Sequence, residues 1–308
     1  MSIPTSLWSF SMRNKVLYFL GTSVLASFFI IGACSSSSST SDEVSTTSCT
    51  ATDNTTATST VNAYGCYLRT RDVSSCQATR TAQGLSGYWL LFSCDVTVTK
   101  SGSTVTLSSS NVPDYKSYYY GSNNNCYESF NTTNGRSPNP GSISEIAITM
   151  TAPFTPASKT APKTTAALGA VGLARNGVVI FNNLAGPGDN IYDESATFDG
   201  CEGHPANTTY HYHIEPPAIS NNDSNFIGVM RDGFPVYGKK DADGTTPTLD
   251  TYGGHTGPLP SDTGTSLYHY HLKSVSGTDG DGNAASEYFL LTTYYYGTPG
   301  TTCSNCTP

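Results

Sequence analysis

Charge is scarce in this chain. Asp, Glu, Lys and Arg make up 12 % of its 308 residues, about half the usual quarter. Basic charge is scarcest: 15 Lys and Arg stand against 23 Asp and Glu, a formal net charge of -8. A nucleic-acid partner is therefore not expected, because such binding needs a basic patch that displaces counterions from phosphate. Beyond residue 33 there is no long apolar run and little helical periodicity. Gly-x-Ser-x-Gly, a phosphate-cradling glycine loop and His-Glu-x-x-His are also missing. No nucleophile or substrate is thereby identified, so catalytic residues stay unknown and whether the chain is an enzyme stays open.

What is present begins with an address. Arg13 and Lys15 precede a charge-free apolar run from Val16 to Ala33. The run ends Ile31-Gly32-Ala33-Cys34, which resembles the lipobox of bacterial lipoproteins. The resemblance implies that residues 1–33 are a signal peptide and that Cys34 is diacylated as the first mature residue. Ser35 in place of Asp leans toward the outer membrane. The implied location is a bacterial cell envelope, as an outer-membrane lipoprotein facing the periplasm or the cell surface. Its partners would be the membrane, through the lipid anchor, and an envelope or extracellular ligand. Residues 34–60, nearly all Ser, Thr and Ala, read as a tether with no apolar period.

Nine cysteines are one too many to pair. With Cys34 lipidated, eight remain, and an export route favours disulfides. Five precede residue 130 and three follow residue 200. If all pair, an odd number of bridges joins the two halves. Cys303-Ser-Asn-Cys306 sits in a Gly-Thr-Pro-rich tail, where a structural disulfide is expected rather than redox chemistry.

Short alternating stretches bounded by Gly, Pro, Asn and Asp predict strands at 88–98, 104–107, 145–150, 178–181, 226–229 and 288–296. Turns are expected at Asn134-Gly135, Asn176-Gly177 and Asp232-Gly233. Residues 152–166 read as a long loop. The fold class is all-β: a disulfide-bonded, sandwich-like body of many short strands and long loops over 61–308.

All six histidines lie between 204 and 271 and form two similar groups. Gly203-His204 is followed by Tyr210-His211-Tyr212-His213. Gly254-His255 is followed by Tyr268-His269-Tyr270-His271. Strand periodicity puts His211 and His213 on one face, and His269 and His271 likewise, with tyrosines opposite. His204 and His255 would be delivered from their Gly-His turns. Three imidazoles with an open position suit zinc or copper. The six could build one site or two. The competing readings are histidines held in structural hydrogen bonds, and acid–base catalysis with Asp199, Glu202 or Asp250. Asp199, Asp232 and Asp250 are candidates for orienting the imidazoles. The acidic loops 241–244 and 279–283 could offer oxygens to calcium, although neither completes an EF-hand spacing.

The chain resembles the YHYH-domain proteins. The resemblance rests on Asn176-Gly177-Val178, Gly203-His204-Pro205, Tyr210 to His213, Asp232 to Gly238, Leu249-Asp250, Gly254 to Pro258 and Tyr268 to His271. The strongest motifs cover 176–272. The family is mostly secreted or membrane-anchored and brings no activity with it. The expected function is thus a cell-envelope lipoprotein that binds a transition metal. A surface binding or adhesion module with structural histidines is the alternative. The family is expected to place a Cys shortly before the second Gly-His. Thr251 and Tyr252 stand there instead, so Cys201 or another cysteine would find a different partner.

Overall fold

A computed structural model describes Cys49 and residues 61–307. The expected signal peptide, Cys34 and the tether, Cys49 apart, lie outside the described residues. Among these, no helix is long and apolar enough to cross a membrane.

Strands dominate. In chain order they are β1 (Thr97–Ser101), β2 (Thr104–Ser109), β3 (Ile148–Pro153), β4 (Gly172–Ala174), β5 (Val179–Ile180), β6 (Gly203–Ala206) and β7 (Thr209–Tyr212). There follow β8 (Phe226–Met230), β9 (Pro235–Tyr237), β10 (Gly254–Leu259), β11 (Asp262–His271), β12 (Lys273–Thr278), β13 (Ala284–Phe289) and β14 (Cys303–Ser304). Two short helices interrupt them, α1 (Ser74–Ala82) and α2 (Ile191–Glu194). The strands form a four-stranded sheet β1-β2-β3-β14, an eight-stranded sheet β10-β11-β9-β8-β4-β5-β7-β6 and the hairpin β12-β13. The all-β expectation holds.

The eight-stranded sheet reads the same from both ends. A hairpin (β4–β5) pairs in parallel with the second strand of another hairpin (β6–β7). The hairpins β8–β9 and β10–β11 repeat that arrangement. The two copies meet where β4 runs antiparallel to β8, with Gly172 opposite Met230, Leu173 opposite Val229 and Ala174 opposite Gly228. A shift of 56 residues carries Gly172 onto Gly228 and Leu173 onto Val229, so the junction is a local twofold. A Cβ on Gly172 would meet the Val229 carbonyl, and one on Gly228 the Leu173 carbonyl. Both positions therefore need the bare backbone that lets β4 and β8 approach.

Alternation along these strands divides the core. Leu173, Val179, Phe181, Val229 and Tyr237 pack with Val98, Val105, Leu107, Ile148 and Met150 of the smaller sheet. Ala174, Val178, Ile180, Tyr210, Tyr212, Val236, Tyr268 and Tyr270 form the opposite face, covered by Tyr115, Leu290 and Tyr295. Each sheet hides an apolar face only against another layer, which is why short strands suffice here.

Three expectations fail. The stretch 288–296 is not a strand, because β13 ends at Phe289. The stretch 88–98 is not one strand: residues 87–90 form a 3₁₀ turn, and β1 starts at Thr97. Helix α1 shows no apolar stripe because its buried residue is Arg80. The Arg80 guanidinium donates to the carbonyls of Phe92 (2.5 Å), Ser93 (2.7 Å) and Val96 (2.6 Å). Charge-assisted bonds to three carbonyls hold the helix where apolar contacts would be expected.

The eight described cysteines pair as Cys49–Cys126, Cys66–Cys201, Cys76–Cys94 and Cys303–Cys306. One bridge, Cys66–Cys201, joins the two halves, an odd number as the count requires. It fixes Cys201 two residues before the Gly203-His204 pair. Cys303–Cys306 closes its own C-x-x-C beside β14, which pairs with β3.

Candidate metal centres

The histidines gather at the two ends of the eight-stranded sheet, three at each, so two sites form. In the first, His204 on β6 sits opposite His211 on β7, and His213 follows immediately after β7. In the second, His255 on β10 sits opposite His269 on β11, and His271 ends that strand.

Glycine before each leading histidine has a cause. An added Cβ on Gly203 would lie 2.5 Å from Tyr210 Cζ, and one on Gly254 would lie 2.5 Å from Tyr268 Cζ. In each copy the ring of the first YHYH tyrosine lies across the glycine. Overpacking at such a contact is destabilising. Gly203→Ala is therefore expected to cost about 2 kcal/mol or more of unfolding free energy, measured by urea titration. A loss under about 0.5 kcal/mol would show that the tyrosine yields freely.

Proton placement follows from backbone carbonyls, which can only accept. His211 Nδ1 faces Thr209 O at 2.9 Å, and His213 Nδ1 faces Asn182 O at 2.5 Å. His269 Nδ1 faces Leu267 O at 2.9 Å, and His271 Nδ1 faces Gly238 O at 2.6 Å. His204 Nδ1 lies 2.7 Å from Thr197 Oγ1 and 3.4 Å from Asn139 Nδ2. The four carbonyl-facing imidazoles thus carry their proton on Nδ1, leaving Nε2 as a bare lone pair. Asn182 and Gly238 are again 56 residues apart, so the repeat supplies the orienting carbonyl as well as the ligands.

Those Nε2 atoms converge. His211 Nε2 is 3.0 Å from His204 Nε2 and 2.9 Å from His213 Nε2. In the second site His255 Nε2 is 3.1 Å from His269 Nε2. Asp241 Oδ1 lies 3.2 Å from His255 Nε2 and 3.4 Å from both His269 Nε2 and His271 Nε2. His271 Nε2 is buried without a hydrogen-bond partner.

Protonating the rings would relieve the crowding of lone pairs, but burial opposes it. Desolvation pushes His204 and His211 well below the usual imidazole range; the nearness of His211 and His213 adds to this for His204, and that of His213 for His211. Burial likewise pushes His213 and His271 down to about 4 and lowers His269. Neutral imidazoles with converging lone pairs are the state a cation requires. Ligands at about 2.0–2.1 Å in tetrahedral array stand about 3.3 Å apart, close to the spacing here. His204, His211 and His213 could hold one ion; Asp241, His255, His269 and His271 could hold another.

Aromatic walls complete both sites. Phe181 stacks on His211 with centroids 3.9 Å apart, and its repeat counterpart Tyr237 meets His269 edge-on at 5.5 Å. The first site opens on a cavity of about 810 Å³ lined by Phe181, His211, His213, Leu184, Asn207 and Glu194, among others. Glu194 Oε1 is 3.9 Å from His204 Nε2, and burial pushes this carboxyl up to about 7.

The family model described as YHYH protein matches residues 149–250. A YHYH domain is present. The match holds all three histidines of the first site and Asp241, and it stops before His255, His269 and His271. The strands β10 and β11 lie outside the match and are related to β6 and β7 by the structural repeat. No curated protein matches the chain, and no solved structure does.

The three aspartates expected to orient histidines sit instead on the tyrosine side of the YHYH strands. Asp199 accepts from Tyr210 Oη (2.6 Å) and Ser117 Oγ (2.5 Å). Asp250 accepts from Tyr268 Oη at 3.0 Å. Asp232 accepts from Tyr270 Oη (2.6 Å) and the Gly297 N–H (2.8 Å). None bonds an imidazole, because alternation turns Tyr and His to opposite faces. Their effect on the histidines passes through the strand they anchor. Glu202 is committed to Arg136 at 2.8 Å. In the loop 279–283, Asp279 is satisfied within its own turn by Asn283 and the Asp281 N–H. Asp241, weighed only as a calcium oxygen, belongs to the second histidine site.

Asp232 offers a pH test away from the histidines. Burial raises its carboxyl from 3.8 to about 6, against its hydrogen bonds. A raised folded pKa gives stability that is complete below the unfolded value and lost as pH rises through the folded one. Asn cannot titrate. Relative to Asp232→Asn, the natural protein should lose roughly 2 kcal/mol between pH 4 and pH 7. Urea unfolding at the two pH values measures this; a pH-independent difference would contradict it.

Proposed function

We propose that this is a cell-envelope lipoprotein whose YHYH domain holds two transition-metal ions, zinc or copper, one in each histidine site. The observation that carries the reading is proton placement: carbonyls hold the protons of His211 and His213 on Nδ1, so two bare Nε2 atoms face each other at 2.9 Å, with His204 Nε2 3.0 Å from that of His211. Structural histidines would spend those lone pairs on donors. Nitrogen-rich sites suit zinc or copper and disfavour calcium, which prefers oxygen ligands. Elemental analysis of the purified full chain should find two ions; a metal-free protein that takes up none would end the reading.

The body would occupy 61–308, joined by the tether 34–60 to a lipid on Cys34. The apolar run, the lipobox-like Ile31 to Cys34 and four extracytoplasmic-type disulfides support this. Cys34→Ala should move the protein from the membrane fraction to the soluble fraction or leave it with an uncleaved signal. Unchanged processing and fractionation would contradict the anchor. The membrane and an envelope or extracellular ligand are the partners proposed.

A further inference from the structure

The two copies differ in the same connection. Between the hairpin that begins each copy and the Gly-His strand, the first copy inserts α2 and the second inserts the loop at Asp241. Asp241 Oδ1 comes within 3.2–3.4 Å of all three Nε2 atoms of its site. It offers a fourth ligand atom beside the three imidazoles. Glu194, at the end of α2, approaches one histidine alone, at 3.9 Å from His204 Nε2. Its other oxygen, Oε2, is buried without a hydrogen-bond partner. Among the described residues the first trio therefore has no fourth protein ligand in place, and beside it lies a cavity of about 810 Å³ with Glu194 in its lining.

We propose that the first site is an open centre that binds an exogenous neutral oxygen-donor ligand, whereas Asp241 makes the second a closed, structural centre. This rests on the metal reading above. The ligand class follows from the cavity. Leu168, Leu184 and Phe181 offer apolar wall for a hydrocarbon part. Asp189, and Glu194 when ionised, make the same space unfavourable to a free carboxylate or phosphate. Glu194 Oε2 is a spare acceptor for an N–H or O–H next to the metal-bound oxygen. A carbonyl group carrying such a donor, as in a primary amide, meets all three demands. No bond is made or broken in this binding step.

The full chain loaded with cobalt(II) tests it, with acetamide as the probe and acetate as the anionic control. The visible bands of the first-site ion are expected to shift with acetamide and to respond far less to acetate. The shift should persist in His255→Ala/His269→Ala and vanish in His211→Ala. Glu194→Gln keeps all ligands and should weaken acetamide about tenfold with cobalt content unchanged. Two bound ions with a spectrum indifferent to the probe would overturn the inference and leave the metal reading standing. So would a response that tracks the second site. Absence of cobalt uptake at both sites would overturn the metal reading and this inference together.

Discussion

Alanine at His211 and His213 is expected to lower bound metal from two ions per chain to one, and alanine at His255 and His269 to do the same. The effects should be independent because the trios occupy opposite ends of the sheet order, with β6–β7 at one end and β10–β11 at the other. Each pair of substitutions leaves a single imidazole in its trio, too few for a first-row ion. Combining all four should abolish binding. Equilibrium dialysis followed by elemental analysis gives the count directly. Loss of both ions from either double variant would mean one shared site, which the strand order contradicts. Retention of both would mean that the metal sits elsewhere.

The second large effect is on stability. Chelation of the loaded protein should lower its Tm by upwards of about 15 °C. A site filled at a thousandfold excess over its dissociation constant contributes about 4 kcal/mol, so two contribute about 8. For a body of this size each kcal/mol moves the midpoint by about 2–4 °C. The chemistry pushes the same way: without a cation, lone pairs 2.9–3.1 Å apart face one another in a buried setting. Scanning calorimetry before and after chelation checks this, with re-addition of metal restoring the midpoint. A change under about 3 °C would mean that the trios are stable as hydrogen-bonded histidines and that metal contributes little.

Much of this site was legible in the residues. A period of two separates His211 and His213 from Tyr210 and Tyr212, and the structure keeps that separation. The duplicated Gly-His/Tyr-His-Tyr-His pattern marked all six histidines that the two trios use. Their number of sites was not legible, because identical tetrapeptides do not say which end of a sheet they occupy. The carbonyls of Asn182 and Gly238 were invisible because orienting atoms on the backbone leave no side-chain signature. Asp241 lies 14 residues before His255 in an ordinary acidic loop and joins the site only when the chain folds back. The repeat itself was half visible: Asn176-Gly177 and Asp232-Gly233 read as turns, but not as copies. Aspartates 199, 232 and 250 were found as important polar residues and assigned to the wrong face, since alternation constrains strands and says little about neighbouring loops. Helix α1 escaped because its buried anchor is a guanidinium, which no apolar period reveals.

The most direct test is anomalous diffraction from crystals of the metal-loaded chain, collected on both sides of the metal's absorption edge. Two peaks are expected. One should lie among Nε2 of His204, His211 and His213, and the other among Nε2 of His255, His269 and His271 with Asp241 Oδ1. Crystals of metal-replete protein with no peak at either trio, or with the ion bound through other residues, would contradict the account.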